Sequence, residues 1–215
     1  DPGAGLWTHA TLGTFYRSNG DGHGFNATAD LASEQLSITY RGATAEAKNY
    51  KAAKDFKPGA LATWTTRGSH WIGGDVVGSS GYKTENHALG FALRNGDHLL
   101  DLKVGFQHIP EQGFPNQHMD MTDNRSTQIN LGYTGKFTWG ALQARVYQEQ
   151  TRHQMDFAGD KLYWYGATHN VAGMPMDTRG NNTGVAVKAE VTLSERDLVR
   201  LGSEYQRYRL DDWWA

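Results

Sequence analysis

Apolar and polar residues alternate with a period of two along much of the chain. Leu100, Leu102, Val104 and Phe106 interleave with Asp101, Lys103, Gly105 and Gln107. Thr127, Ile129, Leu131 and Tyr133 interleave with Gln128, Asn130, Gly132 and Thr134. Val185, Val187, Ala189, Val191 and Leu193 repeat the pattern. That period puts each set on one face of a β-strand. The pattern predicts nine strands, at about 6–16, 25–31, 36–47, 84–93, 99–108, 127–134, 141–155, 183–193 and 198–210. Apolar parity flips between Leu31 and Leu36, which marks a turn or a bulge at residues 32–35. Asn95-Gly96 is the strongest hairpin signal. Helix signals are nearly absent.

The gaps between strands run tight turn, long loop, tight turn, long loop. An outer-membrane β-barrel reads this way, with lipid on the apolar face and water or ligand on the other. The expected fold is thus all-β: an antiparallel meander of about nine strands, the N-terminal portion of a transmembrane β-barrel. Phe137 and Trp139 at one end, with Trp213 and Trp214 at the other, stand where interfacial aromatics belong. A soluble β-sandwich is the rival architecture. Nine is an odd count for a closed single-chain barrel, and merging the second and third strands would give eight.

Composition narrows the choice. A net charge of -2 over 215 residues, with dispersed Lys and Arg, gives no pull toward nucleic acid. With no cysteine there is neither a disulfide framework nor a thiolate metal site. Mean hydropathy is -0.64 and no long apolar run occurs, which excludes a transmembrane helix but not a barrel. The opening Asp-Pro-Gly, without a signal peptide, reads as a mature or trimmed product.

At "YRSNGDGHG", "GSSGYKTENHALGFALRNGDHLLDLKVGFQHIPEQGFPNQHMDMTDN", "TQINLGYTGKFTWGALQARVYQEQTRHQMDF" and "LSERDLVRLGSEYQRYRLDDWW" the chain resembles TonB-dependent outer-membrane receptors, over nearly its whole length. The resemblance implies a barrel of 22 strands around an N-terminal plug, and energised uptake through the TonB complex. Residues 1–215 would then form a partial barrel domain, with the plug and later strands absent. Gated transport would belong to the parent receptor in the bacterial outer membrane.

The candidate chemistry lies in methionine and histidine. All five methionines fall between 119 and 176 and none sits in an apolar strand face. Met119 and Met121 follow His118, Met174 and Met176 form a second pair, and Met155 stands two residues from His153. Thioether with imidazole suits soft copper. His153 and Met155 share parity with Gln143, Arg145, Tyr147 and Glu149 on the polar face of the seventh strand, where i, i+2 spacing lets both reach one ion. This His-x-Met element also looks like the barrel half of the metal site in TonB-dependent copper receptors. Ordinary rim residues, exposed loops and loop packing are the competing accounts of the three clusters. His70, His108 and His169 read as surface or girdle residues. Gly90, Gly105, Gly132, Gly184 and Gly202 lie on polar, inward faces, as close approach of a plug or a solvated wall would require.

Nothing points to catalysis: no nucleophile elbow, phosphate-cradling loop or zinc-protease motif occurs, and Asp211 and Asp212 point oppositely on an extended chain. Three expectations follow. The first is a receptor segment for a metal ion or metal complex, copper or a ferric siderophore, with outer-membrane lipid and TonB as partners and no intrinsic cofactor. The second is a complete small barrel with a structural or adhesive role. The third is a soluble carbohydrate-binding sandwich using Trp64, Trp71, Trp164 and Tyr165.

Overall fold

A computed structural model describes residues 5–57, 72–157, 161, 164–168 and 170–214. The strands are β1 (Trp7–Arg17), β2 (Gly22–Ala32), β3 (Leu36–Ala47), β4 (Tyr82–Asn95), β5 (His98–Gln112), β6 (Asp120–Phe137), β7 (Gly140–Asp156), β8 (Trp164–Tyr165), β9 (Val171–Ala172), β10 (Met176–Thr192) and β11 (Leu198–Trp214). β1 to β7, β10 and β11 form one nine-stranded antiparallel sheet in chain order, and β8 pairs with β9 inside the loop before β10. The expected meander is present.

The second and third predicted strands are separate. Ser33 closes a tight turn between them: its N–H donates to Leu36 O (2.7 Å), and its hydroxyl accepts from Leu36 N (3.1 Å). Gly96 and Gly140 turn the next two hairpins with positive φ of 57° and 142°. Ser194 and Asp197 close the last, Oγ to Oδ2 at 2.7 Å. All four turns sit at one end of the sheet. The opposite end carries a four-residue turn, 18–21, and the segments 48–81, 113–119 and 157–175.

At the loop end several strands run past their predicted bounds. β6 begins at Asp120 rather than near Thr127, and β10 at Met176 rather than Thr183. Alternation is lost there because both faces meet water beyond the membrane. Backbone pairing continues regardless, since it needs no hydrophobic pattern.

Cross-strand rows separate the two faces. Leu102, Leu131, Val146, Val185 and Tyr205 stand in register on one face. Asp101, Gly132 and Arg145 stand in register on the other, where Glu204 also lies. Among the described residues no hydrophobic side chain is buried, and Leu89, Phe91, Leu131, Val146, Val185 and Leu201 are exposed. A sandwich would cover that face with a second sheet, and none lies there among the described residues. Lipid is the solvent such a face needs. At the turn end His98, Tyr133, Phe137 and Trp139 cluster; His98 Nδ1 lies 2.8 Å from Tyr133 Oη, and Phe137 stacks on Trp139 with centroids 5.1 Å apart. This is the amphipathic aromatic girdle expected at a membrane boundary. At the far end only Trp213 shares the lipid-facing parity. Trp214 lies opposite Met176 on the inward face, because neighbours on a strand point apart.

Three of the five inward glycines are filled from within the sheet, while a Cβ at Gly105 or Gly202 would meet nothing nearer than 3.8 Å. A Cβ at Gly184 would meet the ring of Tyr147, one at Gly132 the carboxylate of Asp101 (2.5 Å), and one at Gly90 the hydroxyl of Thr39 (2.5 Å). Side chains of paired strands thus account for these three glycines.

Candidate functional site

Strand register assembles the site. Met155 of β7 is directly opposite Met121 of β6 on one side and Met176 of β10 on the other. Directly opposed residues have Cβ atoms about 5 Å apart and share a face. Three thioethers on three adjacent strands therefore stand in one row on the inward face. All three side chains are half-buried.

Met121 reaches this row through a bulge. The β6–β7 register shifts between Met121 and Asp123, so one extra residue on β6 is absorbed. Without it Met121 would carry the parity of Arg125 and face outward. Alternation predicts Met121 and Met176 in loops; the structure puts both in strand ends.

His153 lies one inward position below Met155, opposite Asn124 and Thr178. A chain of hydrogen bonds fixes its ring. His153 Nδ1 is 3.3 Å from Asn124 Oδ1, Asn124 Nδ2 donates to Gln107 Oε1 (3.4 Å), Gln107 Nε2 donates to Asn86 Oδ1 (2.8 Å), and Asn86 Nδ2 donates to Thr84 Oγ1 (3.0 Å). The Asn124 and Gln107 amides each spend their nitrogen on the neighbouring strand, and Asn86 closes the chain on Thr84 of its own strand, which leaves Asn124 Oδ1 as an acceptor toward the imidazole. Nδ1 then carries the proton and Nε2 keeps its lone pair for a ligand. Metal-binding histidines are commonly oriented this way. Asn124 is only 8% exposed, so its bond to the imidazole is shielded from competing water, while Gln107 and Asn86 are half-buried. Sequence inspection misses Asn124, Gln107 and Asn86, because nothing but register links four distant polar residues.

The other candidates lie apart from this row. His118 and Met119 belong to the 113–119 segment, and Met174, 45% exposed, precedes β10. Among the described residues no group of three or more His, Asp or Glu could hold a metal ion; the donors in and beside the row are three sulfurs and the His153 imidazole, and Asp212, in the row of His153, accepts from the Thr178 hydroxyl between them. His108 faces outward and pairs with Asp123 at 2.9 Å. Trp64, Trp71, His70, His169 and the side chain of Tyr165 lie outside the described residues; Trp164 stands in the β8–β9 pair.

A buried ion pair braces the loops beside the methionines. Lys161 Nζ bonds Asp120 Oδ1 (2.7 Å) and Phe114 O (2.5 Å), while Ser79 Oγ donates to Asp120 Oδ2 (2.6 Å). Both charged side chains are nearly covered, at 12% and 11%. Asp120 immediately precedes Met121, so three loop segments are tied to one edge of the row.

This arrangement, an antiparallel sheet with an uncovered apolar face and a thioether row on its other face, is that of part of a transmembrane β-barrel wall. No family model and no curated protein matches the chain. Solved structures do. The chain is similar to the copper transporter OprC (TM-score 0.66, 15% identity), covering 99% of this chain and 31% of that one. It is similar to the FrpB iron transporter of Neisseria meningitidis, F3-3 variant (TM-score 0.62, 17% identity, 96% and 30% covered). It is also similar to a G324V mutant of the ferric enterobactin receptor PfeA of Pseudomonas aeruginosa (TM-score 0.57, 14% identity, 98% and 32% covered). The chain spans about a third of the length of each. The shared fold is the one that the resemblance to TonB-dependent receptors implies.

Proposed function

We propose that the chain is part of an outer-membrane receptor barrel for metal uptake, and that its cargo is copper in the reduced state. The observation that carries this reading is the row Met121–Met155–Met176 with His153 beside it. Three thioethers and an imidazole form a soft, neutral donor set. Cu(I) accepts such a set; harder ions prefer carboxylates and water. The candidate ligands are His153 Nε2 and the three sulfurs, standing at the loop end of the inward wall, where cargo from outside the cell would first arrive. His118, Met119 and Met174 serve as outlying thioether and imidazole contacts on the approach. Onward passage rests with a plug and the TonB complex, as the resemblance implies.

The test is a Cu(I) titration of the detergent-solubilised protein against a chromogenic competitor. One Cu(I) should bind, with Zn(II) bound far more weakly. His153→Ala and Met155→Leu should each lower Cu(I) affinity by at least about tenfold. Saturable binding of a ferric siderophore, with Cu(I) binding absent and His153→Ala silent, would sink the copper reading in favour of a chelate receptor.

A further inference from the structure

The face opposite the methionine row carries a second register pattern. Arg125 of β6, Arg152 of β7 and Arg179 of β10 are directly opposed across three adjacent strands, and Arg209 of β11 lies one outward position below. Like charges directly opposed in a sheet repel. The carboxylates on this face offset only part of the repulsion. Asp123 takes Arg125 (3.2 Å), Asp177 takes Arg152 (3.0 Å) and Asp211 takes Arg209 (3.0 Å). Arg179 has no carboxylate within ion-pairing distance among the described residues; its guanidinium sits 5.1 Å from the ring centroid of Trp213. Together Arg125, Arg152, Arg179 and Arg209, with Thr127 and Gln150, line one shallow outward depression. Four guanidinium groups, the Gln150 amide and the Asp211 carboxylate line it on the outward side of the sheet, so cationic groups outnumber the carboxylate.

Its height is informative. Phe137, in the aromatic girdle, and Arg125 are twelve residues apart on β6. At about 3.4 Å per residue and a strand tilt of about 40°, that is about 30 Å along the membrane normal. The apolar band of an outer-membrane barrel is about 25 Å tall. The arginines therefore stand just beyond the hydrocarbon, at the headgroups on the loop side, with Trp213 as their interfacial neighbour.

We propose that this depression binds the phosphate groups of an anionic glycolipid of the outer leaflet. Guanidinium groups match phosphate oxygens in bidentate geometry, and those interactions strengthen beside a low-dielectric phase. The inference rests on the membrane-barrel reading; it is independent of copper.

The test is native mass spectrometry of the detergent-solubilised protein with diphosphoryl lipid A, the same lipid stripped of phosphate, and inorganic phosphate. Insertion is followed by heat-modifiable gel mobility. Expected is retention of the diphosphoryl lipid over the stripped one by about tenfold or more. Arg179→Gln with Arg209→Gln should remove that preference, and the corresponding Lys pair should restore part of it. Arg125 and Arg152 are left in place because they neutralise the largely covered Asp123 and Asp177, whereas Asp211, the partner of Arg209, is half-exposed and tolerates the loss. Equal retention of both lipids, a preference untouched by the Gln pair, or competition by millimolar inorganic phosphate alone would overturn the glycolipid site while the barrel stands. A protein that needs no detergent and inserts in no micelle would overturn the barrel reading and this site with it.

Discussion

At the scale of single residues, register separates the methionines that share a row from those that do not. Five methionines look alike in sequence, yet only Met121, Met155 and Met176 share a cross-strand row. Met121→Leu and Met176→Leu should weaken Cu(I) binding, while Met174→Leu and Met119→Leu leave equilibrium affinity within about twofold; a competitor titration of the four variants measures this. Asn124 is a positioning residue. Replacing it with Leu removes the acceptor that holds His153 Nδ1–H, and with it the orientation of Nε2. Affinity should fall by about 10–100-fold, the usual cost of losing an outer hydrogen bond to a metal-binding histidine. Asn124→Asp, which keeps an acceptor, should retain more affinity than Asn124→Leu. The His-x-Met spacing was legible from residue types. The relay behind it was not, because an amide in one strand carries no mark of the strand it will lie beside.

At the scale of elements, strand ends and turns decide what the loops can do. Gly140 adopts φ 142°, and a Cβ there would press into the carbonyl of Glu190. Gly140→Ala should therefore destabilise the β6–β7 hairpin by about 1–3 kcal/mol, read as a lower temperature for the heat-modifiable gel transition. The loop brace makes a separate prediction. Lys161→Met leaves Asp120 buried without its cation, at a cost of about 3 kcal/mol in local stability. Limited proteolysis should then cut within 113–119 faster than in the unchanged protein, with the barrel fragment intact. Most predicted strands lie within the observed ones. Their loop-side extensions escaped notice because hydropathy alternates only where one face meets lipid, and the bulge at Met121 is invisible without the partner strand.

At the scale of the whole molecule the governing facts are an uncovered apolar face and two open edges. Among the described residues β1 and β11 each pair on one side only, and no hydrophobic residue is buried. Unpaired edges invite association. The chain should elute as aggregate in plain buffer and as a defined species in detergent; a monodisperse monomer without detergent on size-exclusion chromatography would contradict a membrane-facing sheet. Period-two hydropathy and turn chemistry were enough to specify an antiparallel meander with one apolar face, since each is a local consequence of what a side chain meets; that no second sheet covers this face among the described residues came from the tertiary structure. Local pattern could not specify which residues from distant strands become neighbours. Pairing register and one bulge settled that, bringing Met121, Met155 and Met176 together inside and Arg125, Arg152 and Arg179 together outside. The tight turns and the apolar band set the register, and the residues at the loop end are aligned by it whatever their own type.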